Sequence, residues 1–203
     1  MKKLVLSLTA LFAFGLANAQ ETTTEGFKQG DTFISGSVGF GSEKTGELKT
    51  NSFNVSPKIG YFVTSNIALG VDLGFTSEKN YAQIDSFYAE QKTTAFQAGV
   101  FGRYYFTPAS KFSVFTQLSV AYATAKVEVE QFEQKVNGFN IEFAPAISYF
   151  VTSQLALEAT FGILSYNTVK PKNEGPYADN TSTDTFNIGL NLSDINFGIV
   201  YKF

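Results

Sequence analysis

Residues Pro57 to Phe75 read PKIGYFVTSNIALGVDLGF, and the alternation within them decides the fold. Ile59 and Tyr61 alternate with Lys58 and Gly60. After Val63-Thr64-Ser65 the pattern restarts, with Ile67, Leu69, Val71, Leu73 and Phe75 facing one way and Ala68, Gly70, Asp72 and Gly74 facing the other. A period of two residues, apolar against polar or small, marks strands with one face against an apolar medium. Thr64-Ser65 leaves room only for a tight turn, so the stretch reads as a hairpin. A near copy recurs 88 residues later as PAISYFVTSQLALEATFGI, Pro145 to Ile163, and midway between them Tyr105-Phe106 stands 44 residues from both Tyr61-Phe62 and Tyr149-Phe150. Strand ends that repeat at this spacing, each before a tight turn, describe a meander of hairpins.

Carried outward, the alternation predicts strands at Thr32 to Ser42, Asn51 to Val63, Asn66 to Ser77, Thr93 to Thr107, Phe112 to Val129, Gly138 to Val151, Gln154 to Asn167 and Thr185 to Phe203. Their connections alternate in kind. Thr64-Ser65, Pro108 to Lys111 and Thr152-Ser153 are tight, whereas Glu43 to Thr50, Glu78 to Lys92, Glu130 to Asn137 and Thr168 to Asp184 are long and polar. Short turns at one end and long loops at the other belong to a barrel that crosses a membrane. The expected fold is therefore all-β: an eight-stranded antiparallel up-and-down transmembrane β-barrel with four extracellular loops. Pro57 and Pro145 remove ladder hydrogen bonds inside predicted strands, which predicts local bulges. In the last strand the apolar parity slips from Phe186, Ile188, Leu190 and Leu192 to Ile195, Phe197, Ile199, Tyr201 and Phe203, which calls for a bulge or turn near Ser193-Asp194.

The direction of the charged side chains explains how such a sheet enters lipid. A closed sheet leaves no unpaired backbone in hydrocarbon, and the charges must then point into the lumen. With the apolar face outward, Lys58, Asp72, Arg103, Glu142, Glu158, Asp194 and Lys202 all fall inside, and a lumen this narrow demands that they form a salt-bridge network. Gly60, Gly70, Gly74, Gly99, Ala121, Ala123 and Gly162 leave them room. Tyr61, Phe62, Tyr105, Phe106, Tyr149 and Phe150, all at strand ends before tight turns, are expected to form the periplasmic aromatic girdle.

Composition agrees with this and narrows the chemistry. Charged residues make up 16% of the chain, against roughly 25% in soluble domains. There is no cysteine and no histidine, which removes thiolate metal sites, disulfides and the commonest general base. No enzymatic activity, metal or cofactor is expected. Lys2 and Lys3, the apolar run Leu4 to Leu16 and the small residues Ala17 and Ala19 have the form of a cleaved signal peptide over residues 1–19, leaving residues 20–203 as one barrel domain. That domain carries 13 basic and 18 acidic residues, a balance that speaks against nucleic acid as a partner. GSVGFG at Gly36 to Gly41 lacks the lysine and helix of a phosphate loop and reads as strand glycines. Glu128, Glu130 and Glu133 read as a solvated strand end rather than a cation site, and Tyr81, Phe87, Tyr88 and Tyr177 as loop aromatics available to a partner.

The repeated YFVTS before a tight turn and the C-terminal INFGIVYKF resemble the small outer-membrane β-barrel proteins of Gram-negative bacteria, of the OmpX and OmpA transmembrane-domain type, as found in Bacteroidetes and often called a porin family. The resemblance covers the whole mature chain. It implies location in the cell outer membrane after export through the periplasm. It also implies contact with outer-membrane lipid and lipopolysaccharide, and an assembly signal in Ile195, Phe197, Ile199, Tyr201 and Phe203 read by the barrel-assembly machinery. No peptidoglycan-binding domain is expected after Phe203, so a wall-anchoring role is not. The expected function is structural or interactive, in adhesion or envelope integrity, with an extracellular protein partner reached through the loops. The alternatives are a narrow porin-like channel for ions or small solutes and a soluble periplasmic lipid-binding barrel.

Overall fold

The computed structural model describes residues 25–45, 48–84, 87–130, 132–160, 163–172, 180–189 and 195–203. Residues 1–24, which include the expected cleavage site at Ala17 and Ala19, lie outside them, as do Gly162, Tyr177 and Asp194. The strands are β1 (Thr32–Thr45), β2 (Leu48–Phe62), β3 (Ile67–Ile84), β4 (Phe87–Tyr105), β5 (Phe112–Val129), β6 (Phe132–Phe150), β7 (Leu155–Thr160), β8 (Ile163–Lys172), β9 (Thr183–Gly189) and β10 (Asn196–Lys202). β7 and β8 both pair with β6, and they form the lower and upper parts of one wall position; β10 pairs with β7, and β9 with β8, in the next. β1 then pairs antiparallel with β10, so eight wall positions close on themselves.

The turns account for the VTS repeat. The Thr64 hydroxyl accepts hydrogen bonds from the backbone N–H groups of Asn66 and Ile67, and Thr152 does the same for Gln154 and Leu155. A side-chain oxygen thereby satisfies turn donors that the ladder leaves free.

The other end departs from expectation. Three of the four segments read as long loops are continuations of the strands: pairing runs unbroken to Thr45↔Leu48, Ile84↔Phe87 and Val129↔Phe132. Polar residues such as Glu78, Lys79, Gln91 and Lys92 signalled a loop. Once a hairpin leaves the membrane, however, both its faces meet water, and a paired ladder no longer needs an apolar side. The fourth connection lies partly in residues 173–179, outside those described.

The two prolines also differ. Pro57 interrupts pairing with β3, but the register is the same on either side, Val55↔Phe75 and Lys58↔Asp72, so the expected bulge is absent. The ladder is interrupted only at Ser56 and Pro57. Beside Pro145 the register does shift by one residue, from Phe143↔Leu164 to Ala146↔Thr160. The outward parity changes with it, from Leu157 in β7 to Leu164 and Tyr166 in β8. In the last wall position Gly189 faces Ile163 and Asn196 faces Thr160, so this strand carries four more residues than its neighbour over the same stretch. This excess coincides with the parity slip in the sequence.

Candidate functional site

The wall presents apolar residues outward over a band bounded by two aromatic belts. The lower belt holds Tyr61, Tyr104, Phe106, Phe112 and Tyr149. The upper belt runs through Phe40, Phe53, Phe75 and Phe96, with successive ring centroids 5.0, 6.1 and 5.0 Å apart, and continues through Tyr122 and Phe139 at 5.1 Å. Tyr166, paired with Phe186, carries it onward. The belts stand about eight to ten residues apart along each strand, roughly 27–34 Å, or about 21–26 Å once the strands tilt. That matches the roughly 25 Å apolar band of a membrane-spanning barrel.

Adjacent residues of a strand face opposite ways, and this corrects the expected girdle. Tyr61, Phe106 and Tyr149 face outward, but Phe62, Tyr105 and Phe150 are fully buried inside the barrel. There they make an aromatic floor with Phe33, Phe101 and Phe115. Tyr105 stacks on Phe115 at 4.6 Å and lies 5.1 Å from Phe62.

The segment preceding β1 completes the floor from below, which sequence reasoning missed. Phe27 inserts among these rings, 4.7 Å from Phe62, 4.9 Å from Phe150 and 5.3 Å from Tyr105. Its N–H donates to the Pro108 carbonyl at 2.6 Å, and Glu25 pairs with Lys111 at 3.0 Å. Gly26 has φ of +98°, and a Cβ there would lie 2.6 Å from the Pro108 carbonyl oxygen, so only glycine fits. The one available signal was a lone Gly-Phe pair ahead of the first alternating run.

Above the floor lies the ionic core. Arg103 is 4% exposed and its guanidinium pairs with Glu158 at 2.8 Å. It also donates to the Tyr105 hydroxyl at 3.0 Å and to the Gln117 side-chain amide oxygen at 2.8 Å, while the Gln117 amide nitrogen donates onward to the Ser119 hydroxyl. The guanidinium stands 4.7–5.2 Å from the centroids of Phe33, Phe101 and Phe115. Each polar end of this group thus has a partner, which is the condition for burying a charge.

The other expected members divide in two. Lys202 belongs to the floor: it donates to the Gly26 carbonyl at 2.5 Å, lies 3.9 Å from Asp31 and sits over the Phe150 ring. Lys58, Asp72 and Glu142 face the lumen above Arg103. Lys58 is opposite Asp72 in the β2–β3 register and 5.9 Å from the Phe101 ring, yet makes no ion pair among the described residues. Asp72 accepts a long 3.5 Å hydrogen bond from Gln97. The single network expected of these residues is therefore a buried Arg103–Glu158 pair, a separate Lys202–Asp31 contact and a looser upper group. Higher still, Asn140 donates to Asn167 at 2.5 Å.

A closed eight-position wall with lipid-height belts and inward charges is the arrangement by which the outer-membrane barrels are known, and the sequence matches the family model described as outer membrane protein β-barrel domain over residues 6–203. The chain belongs to that family. No curated protein matches it by sequence. Among solved structures, outer membrane protein OprG from Pseudomonas aeruginosa aligns at 12% identity with a TM-score of 0.58, covering 88% of this chain and 98% of that one. This family barrel thus shares its fold with OprG. Neisserial surface protein A (NspA) aligns at 16% identity and TM-score 0.47, covering 86% of this chain and 100% of that one. Ail, the attachment invasion locus protein of Yersinia pestis, aligns at 13% identity and TM-score 0.41, covering 86% and 99%.

Proposed function

We propose that the chain is an integral protein of the bacterial outer membrane that acts as a structural and display element, its lumen sealed and its hairpins held rigidly outside the cell, without catalysis. The observation that carries this reading is the closed interior. The aromatic floor, closed from below by Phe27, and the Arg103–Glu158 pair above it are packed together and buried in the lower lumen. The hairpins support it too: β3 and β4 pair about nine residues beyond the upper belt, roughly 30 Å along the strand. The apolar outward face and charged inward face favour this reading over a soluble lipid-binding barrel, in which they would be reversed. A partner reached through the hairpin tips, and insertion by the barrel-assembly machinery through Ile195, Phe197, Ile199, Tyr201 and Phe203, belong to the same proposal.

A second reading, a narrow pore, draws on the upper lumen. Lys58 and Glu142 are only half-buried there, as the walls of an aqueous vestibule would be. Conductance of the refolded chain in planar bilayers decides between the two. The sealed barrel is expected to give no stable steps; large, reproducible open-channel steps would reject it.

A further inference from the structure

The wall is closed by strand pairing only in its lower part. β1 pairs with β10 from Phe33↔Lys202 to Gly36↔Ile199, and there the pairing stops. Both flanks nevertheless continue as strands: Ser37 to Thr45 stay paired with β2 on their other side, and Phe197 and Gly198 stay paired with β7. β9, which stands above β10, pairs with β8 alone among the described residues, and all seven of its residues are exposed. A seam thus runs upward from Gly36 between two strand edges. Gly36 lies four residues below Phe40 of the upper belt, about 10 Å along the barrel axis, so the seam begins within the hydrocarbon.

Backbone direction shows what the β1 edge lacks. The Asp31 carbonyl accepts from the Phe62 N–H on the β2 side, and the Thr32 carbonyl from the Phe203 N–H on the β10 side. Successive residues alternate in this, and β1 keeps one unbroken register against β2. The N–H and C=O groups of Val38, Phe40 and Ser42 therefore point into the seam, and among the described residues they have no partner there. Unpaired backbone is costly in hydrocarbon. An acyl chain offers neither donor nor acceptor, whereas another strand edge offers both. The side chains along the seam are bare as well. Val38, Phe40, Phe186, Ile188 and Phe197 are 61–79% exposed, and no other large apolar residue between the belts exceeds 58% among the described residues.

We propose that the seam is the interface of a two-fold dimer, in which β1 of each copy pairs with β9 of the other. The inference rests on the outer-membrane reading above. Two barrels inserted the same way round are related by rotation about the membrane normal, which leaves β1 ascending and β9 descending in both. β1 against β9 is then antiparallel, and one two-fold axis pairs all four edges at once. β1 against β1 would run parallel and leave both β9 edges bare. The belts set the register, since Phe40 continues the upper belt from Phe53 and Phe186 continues it from Tyr166. With Phe40 level with Phe186, Val38 meets Ile188 on the lipid side, and Gly39 and Gly41 meet Asn187 and Thr185 on the lumen side. Ser42 meets Asp184, and Lys44 stands diagonal to that carboxylate, so no like charges oppose one another.

The chain has no cysteine, so introduced thiols report the contact without background. The full-length variants Ser42→Cys and Asp184→Cys, both at exposed positions just above the upper belt, are refolded into phosphatidylcholine vesicles, separately and as an equal mixture, and oxidised with copper phenanthroline. The mixture is expected to give a disulfide-linked band of twice the chain mass and each variant alone to give none, because the axis brings Ser42 to Asp184 and keeps like residues apart. Val38→Pro added to both removes a seam-facing N–H and leaves the β2 ladder intact. It is expected to abolish the linked band while the heat-dependent gel shift of a folded barrel persists. No linked band from the mixture overturns the proposal, as do equal bands from the single variants or a band undiminished by Val38→Pro. A link formed only within one chain of the double variant S42C/D184C also overturns it, in favour of a barrel that closes on itself. A chain that does not insert into the vesicles overturns the membrane reading as well, and so separates the two failures.

Discussion

The lower and upper halves of this barrel solve the same closure problem in opposite ways. Below Arg103 the lumen is filled by rings, β1 is bonded to β10 from Phe33↔Lys202 to Gly36↔Ile199, and a strap from outside the sheet seals the mouth. Above Gly36, β1 has no partner on that side among the described residues, and the lumen is lined by Ser, Asn, Gly and half-buried charges. The lower half is fixed by packing, and the upper half by hairpin ladders that extend into water. Rigidity and sealing are thus properties of one end, and surface recognition of the other.

The largest effect should come from the layer that separates the halves. Arg103→Ala leaves Glu158 buried without its cation, and loses about 3–5 kcal/mol; urea unfolding in detergent, followed by gel shift, measures it. The double variant R103M/E158M should recover much of that loss, because it removes both charges together. Unchanged unfolding of Arg103→Ala would break the comparison.

Phe27→Ala empties the centre of the floor and should cost about 3 kcal/mol, as buried Phe truncations do. The same unfolding curve checks it. A floor that tolerated this change would make the strap an accessory rather than part of the lower core.

The smallest effect belongs to the upper end. The Lys126 ammonium beside Glu133 holds its carboxyl below the ordinary glutamate value of 4.5. A carboxyl depressed in the folded state stabilises above its unfolded value, and that stability disappears as pH falls through the folded one. Hydrogen exchange at the β5–β6 tip should therefore accelerate as pH drops below 4.5, after correction for intrinsic rates, while the floor amides stay unchanged. Uniform acceleration in both regions would show that the halves do not open separately.

Much of this was legible in the residues themselves. The alternation around Pro57 to Phe75 and its copy at Pro145 placed the hairpins, and the parity slip before Ile195 marked where the last wall position carries extra residues. The inward direction of Arg103 and Glu158 followed from their neighbours. What misled was reading each Tyr-Phe pair as a unit: one member faces lipid and the other the floor, as alternation itself requires. Polarity was likewise taken to mean loops at Glu78 to Lys92, although pairing survives wherever water meets both faces. Phe27 gave no periodic signal because it lies before any strand.

By itself the sequence determined the number of wall positions, which face meets lipid and which end carries the short turns, because these depend on a period of two residues and on local turn chemistry. Only the tertiary structure decided which charges meet, since Arg103 and Glu158 lie on different strands and face each other across the lumen. The same holds for the strap that seals the mouth. Alternation fixes a side chain's direction, but the tilt and stagger of the closed sheet fix what it finds there.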